Sequence, residues 1–102
     1  MKSLLIMTLA FWTFTGEALA NGAQLFRDKA CWTCHGKDGK TPLLPVYPKI
    51  AGQNAPYVEK QIQDIKSGAR GNANSAAMQG ILPLVSNDEI KELAEFISKL
   101  KP

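Results

Sequence analysis

The run Cys31-Trp32-Thr33-Cys34-His35 holds both cysteines and the one histidine of this 102-residue chain. Two thiols at this spacing can close a structural disulfide, work as a thioredoxin-like redox pair, or form two thioether bonds to one planar cofactor. The histidine directly after the second thiol separates these readings. C-x-x-C-H is the spacing at which each thiol adds across one vinyl group of a haem. One turn of chain reaches both vinyls, and the imidazole that follows is aimed at the iron, to which it supplies an axial nitrogen. A zinc site would need more thiols or imidazoles than the chain owns. A thioredoxin-like pair belongs in a βαβ setting rich in β-branched strands, and no such strands are legible here.

A haem with both axial positions filled needs a second donor. With no second histidine, bis-histidine ligation within the chain is excluded. Of the three methionines, Met1 and Met7 fall in an N-terminal leader, and Met78 stands 43 residues after His35 in a run of small residues. Thioether ligation is common in electron carriers and raises the reduction potential. Met78 is therefore the expected sixth ligand. The alternatives are a lysine donor, an open position, or a methionine that only packs. The choice matters chemically. Iron with both positions filled changes little in geometry between its oxidation states, which favours electron transfer. An open position favours gas binding or peroxide chemistry.

Residues 1–20 read as a secretory leader: Lys2, a short apolar stretch over Leu4–Phe14, and small residues at Ala18 and Ala20, with cleavage expected after Ala20. The stretch is short for a bilayer, which wants ~20 apolar residues. No membrane span is expected after cleavage, and an uncleaved anchor is the rival. The remainder, 21–102, reads as one domain. A chain this small has a thin core, and a covalent cofactor would staple it. The apo chain is therefore expected to fold poorly.

Charge adds a modest signal. Residues 21–70 carry eight basic and four acidic side chains, whereas 71–102 carry three basic and four acidic. The excess lies beside the thiol motif. It reads either as ordinary solubilising lysines or as a mild positive rim that steers an acidic redox partner. The dispersed basic residues give no signal for nucleic acid.

The elements that must position these groups read as all-α, about three helices with long loops. A first helix over about Gly22–Ala30 leads into the motif. A second, over about Ala55–Ser67, has Asn54 as cap, Pro56 in its first turn, and Gly68 as stop. A last helix starts from a capping box of Ser86 and Glu89 and carries Ile90, Leu93, Ala94, Ile97 and Leu100 at helical spacing. The segment 36–52 reads as loop because Pro42, Pro45 and Pro48 forbid a regular helix. Its apolar members, among them Leu43, Val46 and Ile50, should be covered by the cofactor. The segment 71–85 also reads as loop. Pro48, Ile50, Tyr57, Ile62, Ile65 and Leu82 are the candidates for the haem pocket, together with Leu43. Arg70, Gln53 or Tyr47 are candidates to meet a propionate.

These residues carry a likeness. The chain from Asn21 on resembles a class I c-type cytochrome, whose terminal helices cross beside the haem. Gly22 and Phe26 are similar to that family's small-plus-aromatic pair on the first helix, and Phe96 to the aromatic they meet. Pro48-Lys49-Ile50-Ala51-Gly52 resembles the segment whose proline carbonyl accepts a hydrogen bond from the ligand histidine, with Pro45 the alternative. More narrowly, the segment Tyr47–Gln53 with Tyr57, Gln61, Lys66-Ser67-Gly68 and Arg70 is similar to one half of the dihaem cytochrome c4 group. Only one C-x-x-C-H run is present, so that group's two-haem wire does not carry over. The resemblance implies haem c, one per chain and attached outside the cytoplasm. It implies a periplasmic electron carrier, not an enzyme, acting as a monomer or in transient complexes with redox proteins. The rivals are a cytochrome subunit of a larger oxidoreductase, such as a flavocytochrome c sulfide dehydrogenase, and a haem sensor or peroxidase with a labile sixth ligand.

Overall fold

The computed structural model describes residues 17–102, where 1–20 had been read as a leader, so that reading falls almost wholly outside the described residues. The architecture is helical, without strands among those residues. Three long helices dominate: α1 (Glu17–Asp28), α3 (Ala55–Ser67) and α5 (Asn87–Lys99). Two short ones lie between them, α2 (Cys31–His35) and α4 (Ala76–Ile81), with 3-10 turns over Ala73–Ser75 and Leu82–Leu84.

The long helices form where the pattern of capping and apolar spacing asks for them. Asn54 accepts from the Tyr57 backbone N–H at 3.3 Å, and α3 ends at Gly68 in the left-handed conformation that a Cβ would oppose. At α5, the Ser86 hydroxyl accepts from Glu89 N at 3.1 Å while the Glu89 carboxylate accepts from Ser86 N at 2.9 Å. Two otherwise orphan donors are satisfied reciprocally.

Helix α5 is the hub and packs on both α1 and α3. Its stripe Ile90, Leu93, Ala94 and Ile97 is buried against Val58, Ile62 and Ile65 of α3 and against Phe26 of α1. The Phe26 and Phe96 rings meet with centroids 5.4 Å apart and planes tilted by 50°, a favourable edge-inclined geometry.

Two details differ from the sequence reading. Helix α1 stops at Asp28, not Ala30, because Ala30 adopts φ 61°, ψ 23° and breaks the helix before the thiol motif. The five motif residues then form their own turn of helix, α2. The segment 71–85, read as loop, is mostly helical. Its residues Ala76, Ala77 and Met78 are good helix formers, and small amide residues before them disguised the start. The segment 36–52 is irregular, as its prolines require. It is fixed by backbone bonds: Ile50 N and Ala51 N both donate to Gly39 O, and Leu43 N donates to Cys34 O at 3.0 Å.

Candidate haem site

A cavity of about 300 Å³ opens between α2, α3, α4 and the 36–52 segment. A single water needs only ~10–15 Å³, so this is not a packing defect. Cys31, Cys34, His35, Pro48, Ile50, Tyr57, Ile62, Ile65, Met78 and Leu82 all line it. These are ten of the eleven residues that the sequence offers as anchors, axial donors and pocket walls, Leu43 being the exception.

The left-handed residue Ala30 turns the chain out of α1 so that α2 faces the cavity with both thiols. Neither cysteine is in a disulfide. Burial pushes the Cys31 thiol up to about 11, and the neighbouring Cys34 adds to the rise. A thioredoxin-type pair works through a thiol whose pKa is lowered. The opposite shift here leaves Cys31 protonated at neutral pH and disfavours that rival.

His35 is buried, and its Nδ1 lies 2.9 Å from the Pro48 carbonyl oxygen. A carbonyl only accepts, so Nδ1 carries the proton and donates. That leaves the lone pair on Nε2, the form of imidazole able to bind a metal. The same bond fixes the ring orientation. Between the two prolines considered, Pro48 is the partner and Pro45 is not.

Met78 reaches the cavity from α4. Three residues before it, the buried Ser75 hydroxyl donates to the Asn72 side-chain oxygen and ties the start of that segment. Arg70 Nη1 donates to Gln61 Oε1 at 3.1 Å, and Arg70, Gln53 and Tyr47 are all among the lining residues. Leu43 is not: it stands before the turn that Tyr47 N closes onto Leu44 O and is 68 % exposed.

Val46, expected from the sequence to lie under the cofactor, does line the cavity, but sequence reasoning did not single out Val58, Ile81, Val85 or Lys29 as lining residues. Val58 was legible as part of the α3 stripe, four residues before Ile62. Ile81 and Val85 become lining residues only because 76–84 is helical. Lys29 had no local signal.

The residues present fit a covalent haem. The donor set is two free thiols, an imidazole with its proton held on the far nitrogen, and a thioether, in a cavity whose other walls are chiefly aliphatic. Helices crossing beside such a site, with a C-x-x-C-H turn leading into it, define a class I c-type cytochrome. The chain belongs to the cytochrome c family: a family model described as Cytochrome c matches residues 19–101. It is similar to cytochrome c4 of Stutzerimonas stutzeri, 36 % identical over 99 % of this chain and 52 % of that protein. Cytochrome c-553 of Nitratidesulfovibrio vulgaris is 32 % identical over 98 % of this chain and 100 % of its own length. Among solved structures, reduced recombinant cytochrome c4 from Pseudomonas stutzeri superposes with a TM-score of 0.74 at 32 % identity, covering 83 % of this chain and 49 % of that one. The chain thus spans about half the length of its cytochrome c4 relatives. Membership of this family implies haem c, electron transfer and redox partners. The homologues named cytochrome c4 are electron carriers, not enzymes.

Proposed function

We propose that this chain is a periplasmic electron carrier holding one haem c, with thioether bonds to Cys31 and Cys34 and with His35 and Met78 as axial donors. The observation that carries this reading is the His35–Pro48 hydrogen bond. In the neutral imidazole it places the lone pair on Nε2, on a ring that lines the same cavity as Met78 and both thiols.

The haem would supply a one-electron couple at its iron. The chain's own residues do the rest. Pro48 holds the imidazole in one tautomer and one orientation. Ile62, Ile65, Leu82 and Val85 exclude water and keep the surroundings apolar. Arg70, Gln53 and Tyr47, which line the same cavity, offer donors for carboxylates. Export after cleavage at Ala20 is part of the proposal. Among the described residues no helix is long and apolar enough to cross a membrane.

The test is Met78→Ala in holoprotein from a maturation-competent host. The variant is expected to lose the weak sulfur-to-iron absorption band, fall in reduction potential and bind carbon monoxide when reduced. An unchanged spectrum would mean that another group is the donor.

The partner is a proposal of its own. A relative named thiosulfate dehydrogenase electron acceptor, from Stutzerimonas stutzeri, is 40 % identical over 64 % of this chain and 29 % of its own length. That favours a dehydrogenase as one electron donor. Single-turnover reduction of this protein by candidate dehydrogenases would separate a free carrier from a tightly held subunit.

A further inference from the structure

Helix α4 carries Met78 but has little anchorage of its own, since none of its residues is buried. The chain after it is better held: Leu82 and Val85 are buried in the core. The 3-10 turn ends between them, where carbonyls lack partners within the helix. Two lysines, one beside the end of α1 and one in α3, reach these carbonyls. Lys29, just past the end of α1, donates from Nζ to the Leu84 oxygen at 2.9 Å. Lys66, in the last turn of α3, donates from Nζ to the Val85 oxygen at 2.5 Å. Lys29 also lies 3.7 Å from the Glu89 carboxylate, which itself closes the cap of α5.

Two consecutive carbonyls, six and seven residues beyond Met78, are therefore gripped by ammonium groups beside α1 and in α3. Hydrogen bonds from a charged donor are stronger than neutral ones, and both lysines are only partly exposed. The reciprocal Ser86–Glu89 bonds of the capping box hold α5 without a lysine donor, although Lys29 adds an ion pair to Glu89. Loss of either grip thus frees residues 76–85 and not α5, as a local opening.

The geometry points to Lys29 and Lys66 as positioning residues that clamp the Met78 segment against the cavity and set how fast its thioether leaves the sixth axial position. This rests on the reading of Met78 as axial donor.

The experiment is displacement of that donor by excess imidazole in the ferric holoprotein, followed by stopped-flow loss of the sulfur-to-iron band. At saturating imidazole the rate is that of thioether release. Lys29→Met and Lys66→Met keep an apolar stem and remove the donors. Each is expected to raise the saturating rate about tenfold, and the double variant further. Lys66→Arg, which retains a donor, should restore slow release. Lys60→Met, which loses only a pairing with Asp64 on α3, should leave the rate unchanged. Unfolding rates in urea are measured alongside, because a general loss of stability raises both rates by the same factor. If Lys66→Met does not fold, Lys29→Met and Lys66→Arg decide alone: fast release in the first and slow release in the second support the clamp. Unchanged release in the lysine-to-methionine variants overturns it, as does a rise matched by unfolding. A wild-type protein that lacks the band, and whose spectrum Met78→Ala leaves alone, removes the ligand reading and the clamp with it.

Discussion

Gly22 of α1 lies so close to Phe96 of α5 that a Cβ on Gly22 would stand 2.6 Å from the Phe96 Cβ and 2.8 Å from the Glu92 carbonyl oxygen. Those obstacles are a backbone atom and the root of a side chain, so neither can swing aside. On an open helix surface, Gly→Ala would stabilise by ~1 kcal/mol through propensity. Here Gly22→Ala is expected to destabilise the holoprotein by about 1–3 kcal/mol, the usual range for overpacking. Urea unfolding followed by far-UV circular dichroism checks the sign. A stabilised variant would mean that α1 and α5 do not cross at this point.

Ala30 is the one non-glycine residue with positive φ among the described residues, at φ 61°. An L-residue pays ~1–2 kcal/mol there. Ala30→Gly relieves that cost but loosens the unfolded chain, which offsets ~0.4–1 kcal/mol. The net expectation is a gain of up to ~1 kcal/mol in stability, read from the urea midpoint, with unchanged haem attachment.

The Glu89 carboxylate is held below its ordinary pKa of 4.5, first by the Ser86 backbone N–H and then by Lys29. A lowered folded-state pKa means that the unfolded chain binds the proton more readily. The contribution is therefore complete above 4.5, where the unfolded carboxylate is ionised, and is lost as pH falls through the lower folded value. The stability difference between wild type and Glu89→Gln should be constant near neutrality and shrink on acidification below 4.5. Urea midpoints measured across that range check it; a gap that widens in acid would contradict the capping role.

Cys34→Ala should leave at most one thioether bond. Intact-mass measurement of acid-extracted protein reads this directly. Haem retained through two bonds in that variant would contradict the attachment scheme.

Much of the architecture was legible in the order of residues. The α3 boundaries follow from Asn54 and Gly68, and the start of α5 from Ser86 and Glu89, because caps are local hydrogen bonds that a few neighbouring residues complete. The α4 helix was not legible. It is a single short turn-and-a-half with no side-chain cap bond and no buried residue, so neither capping nor apolar period announced it. Leu43 illustrates the reverse error: an apolar residue in a loop looks as if it needs cover, yet the path of the turn alone decides whether it faces the cavity.

The sequence by itself determined the chemistry on offer: two thiols at a two-residue spacing, the adjacent imidazole, one thioether beyond the leader, and three stripes that make helices. Those are properties of residue type and short-range spacing. Only the tertiary structure decided that Pro48 rather than Pro45 accepts the His35 hydrogen bond. It alone decided that Gly22 admits Phe96, and that Lys29 and Lys66 meet at neighbouring carbonyls. Each of those pairs is separated by at least 13 residues of chain, so packing of distant elements, and no local preference, brings them together.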